Sequence, residues 1–482
     1  MAIPPSADVP LCQLWIAGQS VTSESGMWFD DLNPLDDSLY ARAAAGTTAD
    51  VHRAVVAADT AFQTFRRSRP AEREGWLLKA AELLQQQADE FVEILIDEVG
   101  SPITKARREV ATATGVLRAA AGATRRLSGK TFPTDVPGRM SLSVRSPLGV
   151  VAAMTPFNVP LIKGIKHAAM PLATGNTVVM LPSEETPMMA LRIARLLADA
   201  GLPEGVFNVV TGSGQVIGDA LTTHPLVRMV GFTGSTRVGT HIRELCGRFG
   251  KRVTLEMGGK NPLIVLRDAD LQKAVQGCVI GSFLYQGQIC MASSRIYVEQ
   301  PVFREFLERF TAAAQRLGMG DLRQADTVLG PIINARQRSR VRAHLENAIA
   351  GGATLHTGGS WDGHRCQPTI LTDVTDSMTI CREETFGPVT SVYSVESAAE
   401  ALKLANDSDF GLCASVYTSD LHAGLQLAEE LQAGMVHVNG TTVQEEAHVP
   451  FGGIRDSGFG REGSEVSIDE LTEWKWITVQ YG

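Results

Sequence analysis

Residues 148–181 read LGVVAAMTPFNVPLIKGIKHAAMPLATGNTVVML. Two short apolar runs, Leu148 to Met154 and Thr177 to Leu181, flank a stretch of helical length, Lys163 to Leu172. A strand covered on both faces reads as a continuous apolar run, so the segment predicts strand, crossover helix and parallel strand. The rhythm continues downstream. Val206 to Val210, Leu226 to Phe232 and Arg252 to Leu255 are strand-like, and Pro187 to Ala200, Gly214 to Thr222 and Ser235 to Phe249 are helical. A second alternation follows, with strands at Pro262 to Leu266 and Ser294 to Val298 and helices at Leu271 to Tyr285, Pro301 to Gly318 and Asn334 to Ala350. The pattern predicts two α/β units in tandem, each built on a parallel sheet. They join at Glu256 to Lys260, where Gly258 and Gly259 make a natural crossing point. Upstream, Trp76, Leu77, Ala80, Leu83, Leu84, Phe91, Ile94 and Leu95 stand at helical spacing and predict one amphipathic helix over residues 71–97. At the C-terminus, Ile468, Leu471, Trp474, Trp476, Ile477 and Val479 predict a helix end followed by a strand open to pairing with another chain.

The chain has 482 residues, 44% of them hydrophobic, enough for several domains with large cores. A net charge of -9 argues against a nucleic-acid partner. The seven cysteines are scattered without a C-x-x-C pair, so neither a disulfide framework nor a metal site is expected. Met1 to Pro10 is polar and proline-rich and does not read as a signal peptide, and no apolar run is long enough to span a bilayer. The expectation is a soluble, cytoplasmic protein with no membrane partner.

Glu256, in Leu255-Glu256-Met257-Gly258-Gly259-Lys260, closes the first unit, and Cys290, in Gly287-Gln288-Ile289-Cys290, lies inside the second. Ligands of such sheets bind beyond the carboxyl ends of strands and between domains, so the two residues can face each other across a cleft. A thiol nucleophile with a carboxylate to manage protons and water is a covalent-catalysis pair. An isolated cysteine is more often a small core hydrophobe. Asn158, between Pro156 and Pro160, is held in a rigid turn from which its amide could serve as an oxyanion donor, although a plain turn asparagine fits as well. Phe232-Thr233-Gly234-Ser235 ends a strand and opens a helix, a place for a phosphate or a simple cap. Gly212 to Gly218 is one residue too long for the dinucleotide fingerprint and reads as a turn.

Taken in order, these segments resemble the aldehyde dehydrogenase superfamily along nearly the whole chain. The resemblance also rests on Gly175-Asn176-Thr177-Val178-Val179, Pro182-Ser183-Glu184-Glu185-Thr186-Pro187, Glu384-Thr385-Phe386-Gly387-Pro388, and Pro450-Phe451-Gly452-Gly453 with Ser457-Gly458. It implies two Rossmann-like domains, residues 1–123 with 147–256 binding NAD and 257–452 carrying catalysis. It further implies a small β element, 124–146 with 466–482, that makes a homodimer or homotetramer. Cys290 would attack the aldehyde, Asn158 would hold the oxyanion, and Glu256 would activate the water that hydrolyses the thioester. Glu384 and Phe386 would lie at the nicotinamide ribose, and Glu184 at the adenosine ribose. Gly234 and Ser235 would sit by the pyrophosphate, with Thr155, Pro156, Phe157, Phe232 and Gly258 completing the cofactor site. Leu181 stands where most members carry a lysine, which leaves the Glu184 anion facing the ribose and favours NAD over NADP. Ala169 to Asn176 and Val438 to Ala447 look like the benzaldehyde, salicylaldehyde and vanillin dehydrogenase branch, implying an aromatic aldehyde. Its pocket would include Val159, Ile162, Lys166, Ile289 and Met291, with Lys163 or Lys166 either meeting a substrate anion or simply ion-paired. Dicarboxylic semialdehyde or broad aliphatic specificity are the alternatives. A CoA-acylating relative would lack Glu256, and a non-enzymatic member would have lost the nucleophile.

Overall fold

The computed structural model describes residues 9–481. Residues 1–8 of the proline-rich N-terminal stretch lie outside them. Five strands form the parallel centre of the first sheet: Val150–Met154 (β1), Thr177–Leu181 (β2), Phe207–Val209 (β3), Val227–Thr233 (β4) and Arg252–Glu256 (β5). Their order is β5-β4-β1-β2-β3. Antiparallel strands close both edges, Leu14–Ile16 beside β3 and Gly458–Phe459 beside β5. The order reverses between β1 and β4, and the crevice above such a reversal is where open α/β sheets bind ligands. Residues 155–158 follow β1 and residues 234–235 follow β4, so both walls of that crevice carry residues singled out from the sequence.

Each face of this sheet buries a separate apolar layer, which explains the unbroken strands. Val178 and Met180 join a core with the helices Pro70–Gln86, Ile103–Ala123 (α1), Pro160–Ala173 (α2) and Pro187–Asp199. Val179 and Leu181 turn the other way, toward Val51, Val55, Ile217 and Ile242.

The chain leaves β5 at Glu256 and enters the second sheet at Asn261. That sheet comprises Asn261–Val265 (β6), Ser293–Glu299 (β7), Thr369–Thr372 (β8), Val389–Val395 (β9), Cys413–Tyr417 (β10) and Met435–Val438 (β11). They run parallel in the order β8-β9-β7-β6-β10-β11, with Thr354–Thr357 antiparallel outside β8. A third, antiparallel sheet joins Lys130–Phe132, Arg139–Pro147 and Thr472–Gln480. Thr472–Gln480 is its edge strand, and Trp474, Trp476 and Val479 are exposed on it.

Three local expectations need correction. Residues 71–97 form two helices, Pro70–Gln86 and Ala88–Asp97, broken at Gln87. Between the buried Leu84 and Phe91 no side chain is fully buried, so packing does not hold the helix through that turn. Gly214 opens the helix Gly214–Thr223, so only the start of Gly212 to Gly218 is a turn. The helix begun at Leu271 stops at Phe283, and Tyr285 and Gln286 take left-handed backbone angles, φ 50° and 55°. Buried hydrogen bonds hold this reversal: the Tyr285 hydroxyl donates to the Val99 carbonyl at 2.8 Å and the Gln286 amide to Pro331 at 2.9 Å.

Candidate active site

The turn after β1 is tied to the end of β2, since Thr155 N–H donates to Leu181 and its carbonyl accepts from Ser183. This fixes Asn158, which is buried and donates one amide hydrogen to the Gln288 carbonyl at 2.8 Å. A carboxamide carries two such hydrogens, so the other remains for a ligand. The link reaches directly into the cysteine loop. On its far side Asn261 donates to the carbonyls of Cys290 and Ala292, at 2.8 and 2.9 Å, and accepts from Cys413 N–H at 3.2 Å. Cys290 is therefore held from both sheets. It keeps part of its surface open. Burial of the sulfur pushes its pKa up to about 12, with Lys163 opposing, so the resting thiol is protonated and needs a base.

Glu256 ends β5 with neither carboxylate oxygen hydrogen-bonded within the described residues. A Cβ on Gly452 would lie 2.7 Å from Glu256 Oε1, so only glycine leaves the carboxylate its place. Burial raises this carboxyl to about 8, against the pull of Lys163 and with the push of Glu462. The surroundings are densely charged. Lys163 pairs with Glu462 at 2.7 Å, Lys166 pairs with Glu445, and both ammonium groups lie over the Phe451 ring, at 4.7 and 4.4 Å from its centre. Burial disfavours the charge on Glu462, but the Lys163 and Lys166 ammonium groups outweigh it and draw the carboxyl down to about 2. His167 is lowered by burial to about 4 and sits neutral, 2.9 Å from the Thr233 hydroxyl.

The proposed cofactor residues lie in or just after β1, β2, β4 and β5 and on the loop that leads into β9. Ser235 precedes the helix Thr236–Arg248 without capping it through its side chain, which leaves the helix N-terminus open to an anion beside the half-buried Gly234. Phe232 is buried beneath them. Glu184 is exposed and accepts from Gly214 N–H at 3.1 Å, at the start of another helix. Leu181 is buried in the apolar layer nearby. Glu384 accepts from Gly259 N–H at 3.1 Å, and burial raises its carboxyl to about 7. It rests against Gly258, where a Cβ would lie 2.5 Å from Glu384 Oε2. Phe386 has φ 56° and meets the Phe157 ring edge-on, 5.7 Å between centres. A left-handed phenylalanine is a strained conformation of the kind that collects at functional sites.

Of the pocket residues, Val159, Ile162, Ile289 and Met291 share an apolar cluster with Cys290, Val443 and Phe451. Lys166 meets this cluster at the Phe451 ring, with its charge paired to Glu445. Sequence reading did not single out Asn261, Glu445 or Glu462 for the site. Glu462 lies just beyond the Ser457-Gly458 segment, and nothing in its own neighbourhood distinguishes it from a surface charge.

Among the described residues no helix is long and apolar enough to cross a membrane, and no group of three or more His, Cys, Asp or Glu is placed to hold a metal ion. Residues 20–477 match the aldehyde dehydrogenase family model. The chain is 42% identical over 479 residues to a vanillin dehydrogenase of Pseudomonas fluorescens, covering 98% of each. It superposes with a TM-score of 0.95 and 37% identity on a salicylaldehyde dehydrogenase from Pseudomonas putida G7 complexed with salicylaldehyde, over 98% of both chains. A betaine aldehyde dehydrogenase from Staphylococcus aureus in complex with NAD+ gives a TM-score of 0.95 at 31% identity, over 98% of this chain and 95% of that one. On sequence and architecture together, the chain belongs to the aldehyde dehydrogenase family.

Proposed function

We propose that this protein oxidises an aromatic aldehyde to its carboxylic acid with NAD, through a thioester on Cys290. The observation that carries the reading is the convergence of Asn158, Cys290 and Glu256 on one crevice, drawn from two sheets. The cofactor would be held by Thr155, Pro156, Phe157 and Gly258 along its length. The open helix start at Gly234 and Ser235, with Phe232 beneath, suits its pyrophosphate, and Glu184 and Glu384 its two riboses. NAD, when bound, supplies the hydride acceptor.

Cys290 loses its proton to solvent water at its partly open face, and its sulfur adds to the aldehyde carbon. The free Asn158 amide hydrogen and the Cys290 N–H hold the resulting oxyanion. Once the thioester has formed, Glu256 takes a proton from water and the hydroxide oxygen adds to the acyl carbon, releasing the acid and the thiol. An unbonded carboxylate with a raised pKa suits that task. The aromatic class is supported by the apolar set around Cys290 and by the likeness to vanillin and salicylaldehyde dehydrogenases. Leu181 places no cation beside Glu184, which favours NAD over the 2′-phosphorylated cofactor. The exposed edge strand Thr472–Gln480 supports the association of copies as a homodimer or homotetramer, with 124–146 and 466–482 as the contacting element. Seven free cysteines suit a reducing cytoplasm. The test is NADH formation with substituted benzaldehydes, succinic semialdehyde and aliphatic aldehydes. Benzaldehydes should lead by at least about tenfold in kcat/KM, NAD should outperform NADP, and Cys290→Ala should be inactive. A lead for short aliphatic or semialdehyde substrates would overturn the aromatic assignment.

A further inference from the structure

Two residues on α1, far in sequence from the crevice, meet its foundations. Lys105 is buried, and its ammonium donates to Asn158 O at 2.8 Å, Glu109 Oε2 at 2.5 Å and Ser101 Oγ at 3.0 Å. Three donors meet three acceptors, so the ammonium cannot turn without losing a bond. It also lies 4.1 Å from the centre of the Tyr285 ring, at the start of the reversed loop that leads to Cys290. Glu109, buried as well, accepts from Leu161 N–H at 2.9 Å and Ile162 N–H at 3.3 Å through its other oxygen. These are free donors at the first turn of α2, whose own N-cap Val159 offers no side-chain cap. One ion pair thus grips the Asn158 turn at its carbonyl, the helix that follows it, and the aromatic ring beneath the cysteine loop.

We propose that Lys105 and Glu109 are positioning residues for the oxyanion site, holding the Asn158 amide in register with Cys290. The proposal rests on Asn158 being the oxyanion donor. A donor acts in the transition state only if it is already in place, and a displacement of about 1 Å can cost about 10²-fold in rate. Loss of the pair should therefore lower kcat and kcat/KM together and leave the aldehyde KM nearly unchanged.

The experiment compares Lys105→Met, Glu109→Gln and the double variant Lys105→Met/Glu109→Leu, each in wild-type and Asn158→Ala backgrounds, with benzaldehyde and NAD. Replacing both charges with apolar side chains leaves no buried ion unpaired, and a melting curve, lowered by the uncapped Leu161 and Ile162 N–H groups, reports whether the double variant is folded. Its kcat should nonetheless fall about 10²-fold, and in the Asn158→Ala background the same change should cost almost nothing more. Wild-type kcat in a folded double variant, or a full additional loss on top of Asn158→Ala, would overturn the proposal. Should the double variant not fold, Glu109→Gln carries the same cycle, because it is isosteric and keeps an acceptor for Leu161 and Ile162. If Asn158→Ala alone leaves kcat intact, the oxyanion reading fails instead, a result distinct from failure of the pair.

Discussion

The crevice has two sides built on opposite plans. Around Asn158 the polar groups are tied: an amide to Gln288, a carbonyl to Lys105, a helix start to Glu109. At Glu256 the carboxylate itself is left loose, both oxygens unbonded within the described residues, while Lys163 with Glu462 and Lys166 with Glu445 pair around it. On the proposed roles, the difference follows from the work each side would do. An oxyanion donor gains from never reorganising, since donors fixed in advance stabilise charge without having to turn toward it. A general base must change protonation and reach water, and a full set of hydrogen bonds would hold it in one state.

The sharpest way to break this contrast is Glu256→Gln. Turnover should drop by up to about 10⁴-fold, while pre-steady-state mixing still shows a burst of NADH as the thioester accumulates. Steady turnover near wild type would mean that another group activates water. Next in size is Asn158→Ala, for which a loss of about 10²- to 10³-fold in kcat is expected with little change in KM. A change confined to KM would make Asn158 a binding residue and dissolve the tied side of the comparison. The smallest effect concerns pH. Glu256 acts as a carboxylate, so a kcat limited by thioester hydrolysis should rise with pH and level off above about 8. Lys163 favours the ionised form, and Lys163→Met should therefore move the midpoint upward. A profile that falls through that range, or a midpoint unmoved by the substitution, would detach Glu256 from its charged neighbours.

Much of the tied side's scaffold was legible. The valine-rich runs that became β1 and β2 are buried on both faces, and burial on both faces is what a continuous apolar run records. Cys290, Glu256, Asn158 and Glu384 stood out by the segments around them. Their supports did not. Lys105 and Asn158 are brought together by the packing of α1 on α2, and no local pattern announces a contact 53 positions away. Tyr285 read as the end of a helix, and only the buried partners of Tyr285 and Gln286 hold the chain in its left-handed turn. Lys166 is a further case. Its sequence position left a substrate anion and an ion pair both open, and only the fold brings Glu445, far along the chain, to pair with it.

The passage from β5 to β6 through Met257–Lys260 carries one more lesson, for protein engineering. A recombinant that exchanged everything after Glu256 between two relatives would inherit the nucleophile from one parent and the base and oxyanion donor from the other. Such chimaeras would need matched partners at Asn158 with Gln288, Glu256 with Gly452, and Lys105 with Tyr285. Grafting a new aldehyde pocket is therefore a problem of preserving seams rather than of choosing a lining.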